Sequence, residues 1–377
     1  MNYETLHQRY KEEQLFGRYI TLEHIEPLLS TLPKQVIGQS VLGKPIYKIT
    51  IGTGKTKILM WSQMHGNEST TTKALFDFIN YIQSDEAVSI LENFTFCLLP
   101  MLNPDGAELY TRENASRVDL NRDAQNLTQP ESKLLRKTFE EFQPNFCYNL
   151  HDQRTIFGAG GDGNPATVSF LAPAYNEARE VNEVRSKAIE VIVAMNKTLQ
   201  QFIPNQVGRF DDSFNLNCAG ETFQSMNVPT ILFEAGHYQN DYDREFTRKF
   251  IFIALISGIT YINENDIVLN EMINYLHIPQ NKVAFYDFVY KNVKINYDNI
   301  EKSINFAAQY KEVLNQGKIT FEAQIVKIDY LDDFYGHVEI DAKGETYSAE
   351  EYNFPIIERK ATFSIGENLK IVNGLPQ

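Results

Sequence analysis

Apolar positions along the chain fall into two regimes. From about residue 36 to residue 263, short continuous apolar runs alternate with stretches in which apolar residues recur every three or four positions. Continuous runs of four to eight residues mark buried strands, and the wider spacing marks helices with one buried face. Lys57–Trp61, Phe94–Leu99, Phe146–Leu150 and Thr230–Phe233 therefore read as strands. Thr70–Gln83, Glu131–Glu141, Glu177–Phe202 and Asp243–Asn263 read as helices. Val36–Ile51 reads as a hairpin, its β-branched runs parted by Gly43-Lys44. Helices over Tyr3–Phe16 and Leu22–Ser30 precede it. Strands alternating with helices imply an α/β fold: a mostly parallel, doubly wound mixed sheet flanked by helices.

The second regime begins near residue 265, where the pattern becomes less regular. Ile319–Ile328 alternates apolar with polar, Ala342-Lys343-Gly344 marks a turn, and Ala361–Val372 is strand-like again. The expected division is a large α/β domain over 1–268 and a small C-terminal unit over 269–377, built of short helices and then a β-rich module.

Composition narrows the classes. The chain of 377 residues is 43% hydrophobic, enough for a sizeable core, and carries a net charge of −14. That charge argues against a nucleic-acid-binding surface, which needs clustered Lys and Arg. The three cysteines, Cys97, Cys147 and Cys218, lie in apolar or mixed segments and suggest buried thiols rather than a disulfide framework. The polar start Met1-Asn2-Tyr3-Glu4-Thr5 lacks a signal-peptide core, and no apolar run approaches the ~20 residues of a membrane span. A cytoplasmic location with no membrane partner is the expectation, and the oligomeric state is open.

Candidate chemistry sits where strands end. Trp61-Ser62-Gln63-Met64 leads into His65-Gly66-Asn67-Glu68, an imidazole and a carboxylate three residues apart between a strand and a helix. Such a pair can grip one metal ion, and a catalytic zinc commonly takes three protein ligands and leaves a position open. His151, at the end of Phe146–Leu150, suits the third position, with His237 its only serious rival among the seven histidines. Asp152 is a possible partner orienting a ligand. Glu234 ends the strand Thr230–Phe233, and its apolar approach favours partial burial, which raises a carboxyl pKa toward that of a working base. Open α/β sheets form their sites beyond the carboxyl ends of strands, where these residues fall. Between them lie Asn103-Pro104-Asp105-Gly106, read as a tight turn, then Arg112, Arg117 and Asp119-Leu120-Asn121-Arg122.

The segments His65-Gly-Asn-Glu68, Asn103-Pro-Asp-Gly106, Asp119-Leu-Asn-Arg122, His151 and Phe233-Glu234 resemble, in kind and order, the zinc carboxypeptidases of the M14, carboxypeptidase A-like family. The resemblance spans roughly Val36 to Lys249. It implies one zinc per chain, held by His65, Glu68 and His151, with Glu234 as general base. It also implies that Asn121 and Arg122 hold the terminal carboxylate of a peptide or small amide substrate, and that Arg112, or alternatively Arg117, supports the oxyanion. The implied activity is hydrolysis of a C-terminal peptide or amide bond. One departure stands out: family members usually carry a mobile Tyr upstream of the catalytic Glu, and Arg209–Asn217 contains none, while Tyr238 follows Glu234. Two other readings compete. A zinc deacylase of N-acyl amino acids, of the succinylglutamate desuccinylase or aspartoacylase type, shares the His-Gly-x-Glu start, a later His and a Glu base. A metal-free scaffold on the same fold predicts lost ligands, and none is lost.

Overall fold

The structure, a computed structural model, describes residues 2–265, 270–297 and 299–377. It divides into two compact units: Met1–Gln153 with Ala166–Asn281, and Arg154–Pro165 with Lys282–Gln377. The boundary expected between 268 and 269 lies outside the described residues.

The first unit is built on an eight-stranded mixed sheet. Its strands are β1 (Lys34–Gln39), β2 (Pro45–Gly52), β3 (Thr56–Ser62), β4 (Phe94–Leu99), β5 (Phe146–Asp152), β6 (Val168–Leu171), β7 (Val207–Arg209) and β8 (Thr230–Ala235). Their spatial order is β1-β2-β4-β3-β5-β8-β6-β7. The four central strands β4, β3, β5 and β8 run parallel, and β2 and β6 join them antiparallel at either side. The expected doubly wound sheet with flanking helices is therefore present, with antiparallel additions at its edges.

The apolar runs are continuous because both faces of this sheet are covered. Ile58 and Met60 of β3 join a core with Phe76, Ile192 and Phe252, from helices Thr70–Ile82, Glu183–Leu199 and Glu245–Glu264. Leu59 and Trp61 point the other way, onto Leu135, Phe139 and Phe223 from helices Pro130–Phe142 and Ala219–Ser225. Phe139 and Phe223 stack at 4.1 Å with an interplanar angle of 3°. Cys97, Cys147 and Cys218 are buried and free. No described helix is long and apolar enough to cross a membrane.

Asn103-Pro104-Asp105-Gly106 opens a helix, Pro104–Leu109, rather than closing a tight turn. Asn103 is its N-cap, its side-chain oxygen accepting from the Gly106 amide at 2.9 Å, and Pro104 follows where a missing N–H costs nothing. The N-terminal helix is shorter than expected, Tyr3–Tyr10, and the helix expected from Glu177 starts at Glu183 behind an Asn182 cap.

The second unit pairs strands β9 (Phe285–Tyr297), β10 (Ile300–Asn315), β11 (Lys318–Ile328) and β12 (Tyr335–Asp341) in the order β11-β10-β9-β12. A smaller four-stranded sheet follows over residues 347–376. Phe288, Tyr290, Phe306 and Phe363 share one core. The short helix expected in this region, Met272–His277, belongs to the first unit, and the β-rich part begins sooner than the alternation at Ile319 suggested.

Candidate metal centre

β3 and β5 are neighbours in register, and β5 is paired with β8 so that His151 lies opposite Glu234. Residues opposite each other across a ladder project to the same face. This register brings side chains separated by some 80 residues in sequence to one rim of the sheet. His65 and Glu68 reach it from the loop that leaves β3.

His65, Glu68 and His151 form a buried group whose ligand atoms all lie within 4.8 Å of one another. The Nδ1 atoms of His65 and His151 are 3.1 Å apart, and each is 2.8 Å from a different oxygen of Glu68. The Nε2 of His65 lies 2.9 Å from the Asp119 carboxylate. Carboxylates can only accept, so Asp119 favours a proton on Nε2; a metal held beside Glu68 and His151 would take the Nδ1 lone pair in place of a proton there. Two imidazole nitrogens and a carboxylate converging in this way are a donor set that suits zinc. His237 is buried against Tyr242 and is not in the group.

The electrostatics follow from burial and proximity. Burial works against ionising Glu68, but the imidazoles of His65 and His151 outweigh it and hold its carboxyl well below the ordinary range. His151 is pushed down by burial, against the pull of Glu68. Glu234 goes the opposite way: burial first, then the charges of Glu68 and Asp152, hold its carboxyl well above the ordinary range. Its Oε2 has no hydrogen-bond partner among the described residues.

The Asp152 amide donates to Glu68 Oε2 at 3.2 Å, while its side chain turns to a neighbouring helix. Its oxygens accept from the amides of Thr70 and Thr71 at 2.8 and 3.2 Å, capping the helix that follows the metal loop. The carboxylate that contacts His65 is Asp119, which also accepts from Arg112 Nε at 3.1 Å and from the Asn121 amide at 2.8 Å. Asp119 stood inside a noted motif, but nothing local to it pointed toward His65.

Arg112 reaches the group, its Nη1 3.3 Å from Glu68 Oε1, with its side chain 42% exposed. Arg117 sits exposed in a turn at φ 59°, its amide donating to the Asn114 carbonyl. The Asn121 side-chain oxygen accepts from the Ala219 amide, and Arg122 donates to the Asn121 carbonyl and contacts Cys218 Sγ at 3.1 Å. Glu221, beside Cys218, is 8% exposed, and burial pushes its carboxyl up to about 7. Tyr238 packs its ring against Phe246 and Phe250.

Gly66 explains the close fit between two motifs. A Cβ there would lie 1.9 Å from the Gly106 carbonyl carbon and 2.2 Å from the Ala107 nitrogen. Only glycine lets the His-x-x-Glu loop meet the helix that starts at Pro104.

Comparison with known proteins finds similarity to zinc carboxypeptidases. The family model for zinc carboxypeptidases, peptidase family M14, matches residues 22–148. That segment holds His65, Glu68, Arg112, Asn121 and Arg122 and stops short of His151 and Glu234. Carboxypeptidase SOL1 of Arabidopsis thaliana is 27% identical over 218 residues, 47% of this chain and 44% of that protein. Gamma-D-glutamyl-L-diamino acid endopeptidase 1 of Lysinibacillus sphaericus is 31% identical over 112 residues, 27% of this chain and 28% of that protein. The chain thus spans less than half the length of these relatives. The crystal structure of a metallo-carboxypeptidase from Burkholderia cenocepacia shares the fold, with TM-score 0.52 and 17% identity over 64% of this chain and 69% of that one.

Proposed function

From its place in the zinc carboxypeptidase family, a family of zinc-dependent hydrolases, we propose that this chain is a metallocarboxypeptidase that cleaves the C-terminal peptide or amide bond of a peptide. One observation carries the reading: the donor atoms of His65, Glu68 and His151 converge on one point at the sheet rim, with Glu234 on the adjacent strand and Arg112 in contact with Glu68.

His65 Nδ1, His151 Nδ1 and the Glu68 carboxylate hold the metal. When bound, zinc supplies Lewis-acid polarisation of the scissile carbonyl, makes water more acidic and offsets the negative charge of Glu68. Glu234 takes a proton from the attacking water and returns it to the leaving amine as the C–N bond breaks. Its burial suits this exchange, because a carboxyl held above its ordinary range is a stronger base, once ionised, than an exposed one. Arg112 stabilises the developing oxyanion while remaining tied to Asp119. Asn121 and Arg122 hold the terminal carboxylate, for which a guanidinium fork is well matched.

The test is to assay purified, zinc-loaded protein on C-terminally free peptides, C-terminally amidated peptides and N-acyl amino acids. Release of the C-terminal residue from the free peptides alone is the expected result. Activity confined to N-acyl amino acids assigns a deacylase instead, and no activity with about one zinc bound per chain refutes the substrate class.

A further inference from the structure

The loop that carries His65 and Glu68 is fastened to residues outside the family-matched segment. Residues 3–21 precede that segment, and part of this stretch runs directly beneath the loop. The Ser69 hydroxyl donates to the Arg18 carbonyl at 2.6 Å. Gln63 Nε2 donates to the Ile20 carbonyl at 2.8 Å.

Gln63 is the hub of these contacts. It is fully buried and lies at φ 48°, a left-handed conformation that a non-glycine residue adopts only when its surroundings impose it. The same Nε2 donates to the Gly66 carbonyl at 2.9 Å, within the loop itself. Its Oε1 accepts from the Thr72 hydroxyl at 3.1 Å, on the helix that follows Glu68. Its own carbonyl accepts from the Asn103 amide at 3.1 Å, at the cap of the helix that meets Gly66. One side chain and its carbonyl therefore tie the ligand loop to the N-terminal stretch, to itself and to both neighbouring helices.

The N-terminal stretch is in turn held firmly. Arg248 donates to the Leu15 and Glu12 carbonyls at 2.6 and 2.8 Å. Its guanidinium also makes a fully buried fork with both oxygens of Asp77, at 2.7 and 2.5 Å. Asp77 accepts the Glu12 amide at 2.7 Å, and the Tyr19 hydroxyl donates to the Glu108 carbonyl at 2.7 Å. Among the described hydrogen bonds, neither Asp77 nor Arg248 pairs with His65, Glu68 or His151. Buried charges with this many fixed partners make the stretch a rigid abutment.

We propose that Gln63 is a positioning residue for the metal centre, and that residues 18–20 act as a strap holding the ligand loop through Gln63 and Ser69. The inference rests on the metal-site reading above. Removing the bonds on the strap side leaves His65 and Glu68 in place in the chain but free to rotate away from His151, so metal affinity falls. Supporting groups of this kind are typically worth about 10–100-fold in affinity or activity.

The experiment uses the full chain with Gln63→Glu, which keeps the size but turns an oxygen toward the Ile20 and Gly66 carbonyls, and with Ser69→Ala, which removes only the bond to Arg18. Zinc Kd is read by chelator competition, the site geometry by the visible spectrum of the cobalt(II) form, and turnover as kcat and KM separately. The expected result for Gln63→Glu is a zinc Kd raised about 10–100-fold, an altered cobalt spectrum, and a lower kcat with KM within about twofold. Ser69→Ala should shift Kd in the same direction by less. Wild-type Kd and cobalt spectrum in Gln63→Glu, with only a lower unfolding temperature, overturn the proposal. Should Gln63→Glu not fold, an unchanged Kd and spectrum in Ser69→Ala overturn it. A wild-type protein that binds no zinc defeats the metal-site reading itself, an outcome distinct from either.

Discussion

Replacing Asp119 by Asn tests how the site is held together. This carboxylate accepts from His65 Nε2 at 2.9 Å, from Arg112 Nε at 3.1 Å and from the Asn121 amide at 2.8 Å. Burial alone would raise its pKa, yet the bond to His65 and the charges of His65, Arg112 and Arg122 hold it well below the usual carboxylate range. An Asn side chain keeps the volume and one acceptor oxygen. If that oxygen serves His65, the amide N–H₂ faces the Arg112 N–H, and two donors cannot pair. His65 then loses a charged acceptor, and Arg112 keeps only its contact with Glu68. Loss of a ligand's orienting carboxylate costs about 10–100-fold in metal affinity, or about 1.4–2.8 kcal/mol at 1.4 kcal/mol per decade. Chelator competition with the purified variant should therefore give a zinc Kd raised by that factor, and kcat should fall further because Arg112 is held by one carboxylate instead of two. A zinc Kd within about twofold of wild type would refute the assignment of Asp119 as the group that fixes His65.

Gly66→Ala should cost several kcal/mol, because its Cβ would lie 1.9 Å from backbone that cannot yield, and both zinc binding and the unfolding temperature should drop. Glu221 has a folded pKa of about 7 against an ordinary 4.5, so the stability linked to its proton is fully present below pH 4.5 and is lost as pH rises through 7. Glu221→Gln should accordingly gain up to ~3 kcal/mol on wild type at pH 8 relative to pH 4, read by Trp61 fluorescence during urea unfolding. His337, in the second unit, has the reverse sign: burial lowers its pKa from 6.5 to about 4 despite the bond to the Thr155 carbonyl, so stability is present above pH 6.5 and is lost as pH falls through 4. Far-UV circular dichroism should therefore detect acid unfolding of that unit that is reduced in His337→Gln, by up to ~3 kcal/mol.

The central strands were legible in the sequence because a parallel sheet covered on both faces needs uninterrupted apolar runs. Phe94–Leu99 keeps its expected ends, and Thr230–Ala235 extends only two residues beyond Phe233. Those ends also pointed to His65, Glu68, His151 and Glu234 as candidates, and the fold brings the first three together. Three things were hidden. Strands β6 and β7 are too short, at 4 and 3 residues, to display a period. The long strands β9 and β10 shift register between Tyr290 and Val293 and between Ala307 and Ala308, which breaks the alternation by which a half-exposed strand is recognised. Asp152 reads as a possible orienting partner because it adjoins His151 in the chain, and no role is expected of Asp119, whose carboxylate contacts His65. In a strand, however, the neighbouring side chain points to the opposite face, and there Asp152 caps a helix.

Glu234→Gln tests the central claim most directly. The substitution keeps the shape of the side chain and leaves His65, Glu68 and His151 intact. The account predicts about one zinc per chain, as in wild type, with hydrolysis of a C-terminally free peptide reduced about 10²–10⁴-fold, the usual contribution of a general base. A variant that holds the same zinc and cleaves the peptide at the wild-type rate would contradict it.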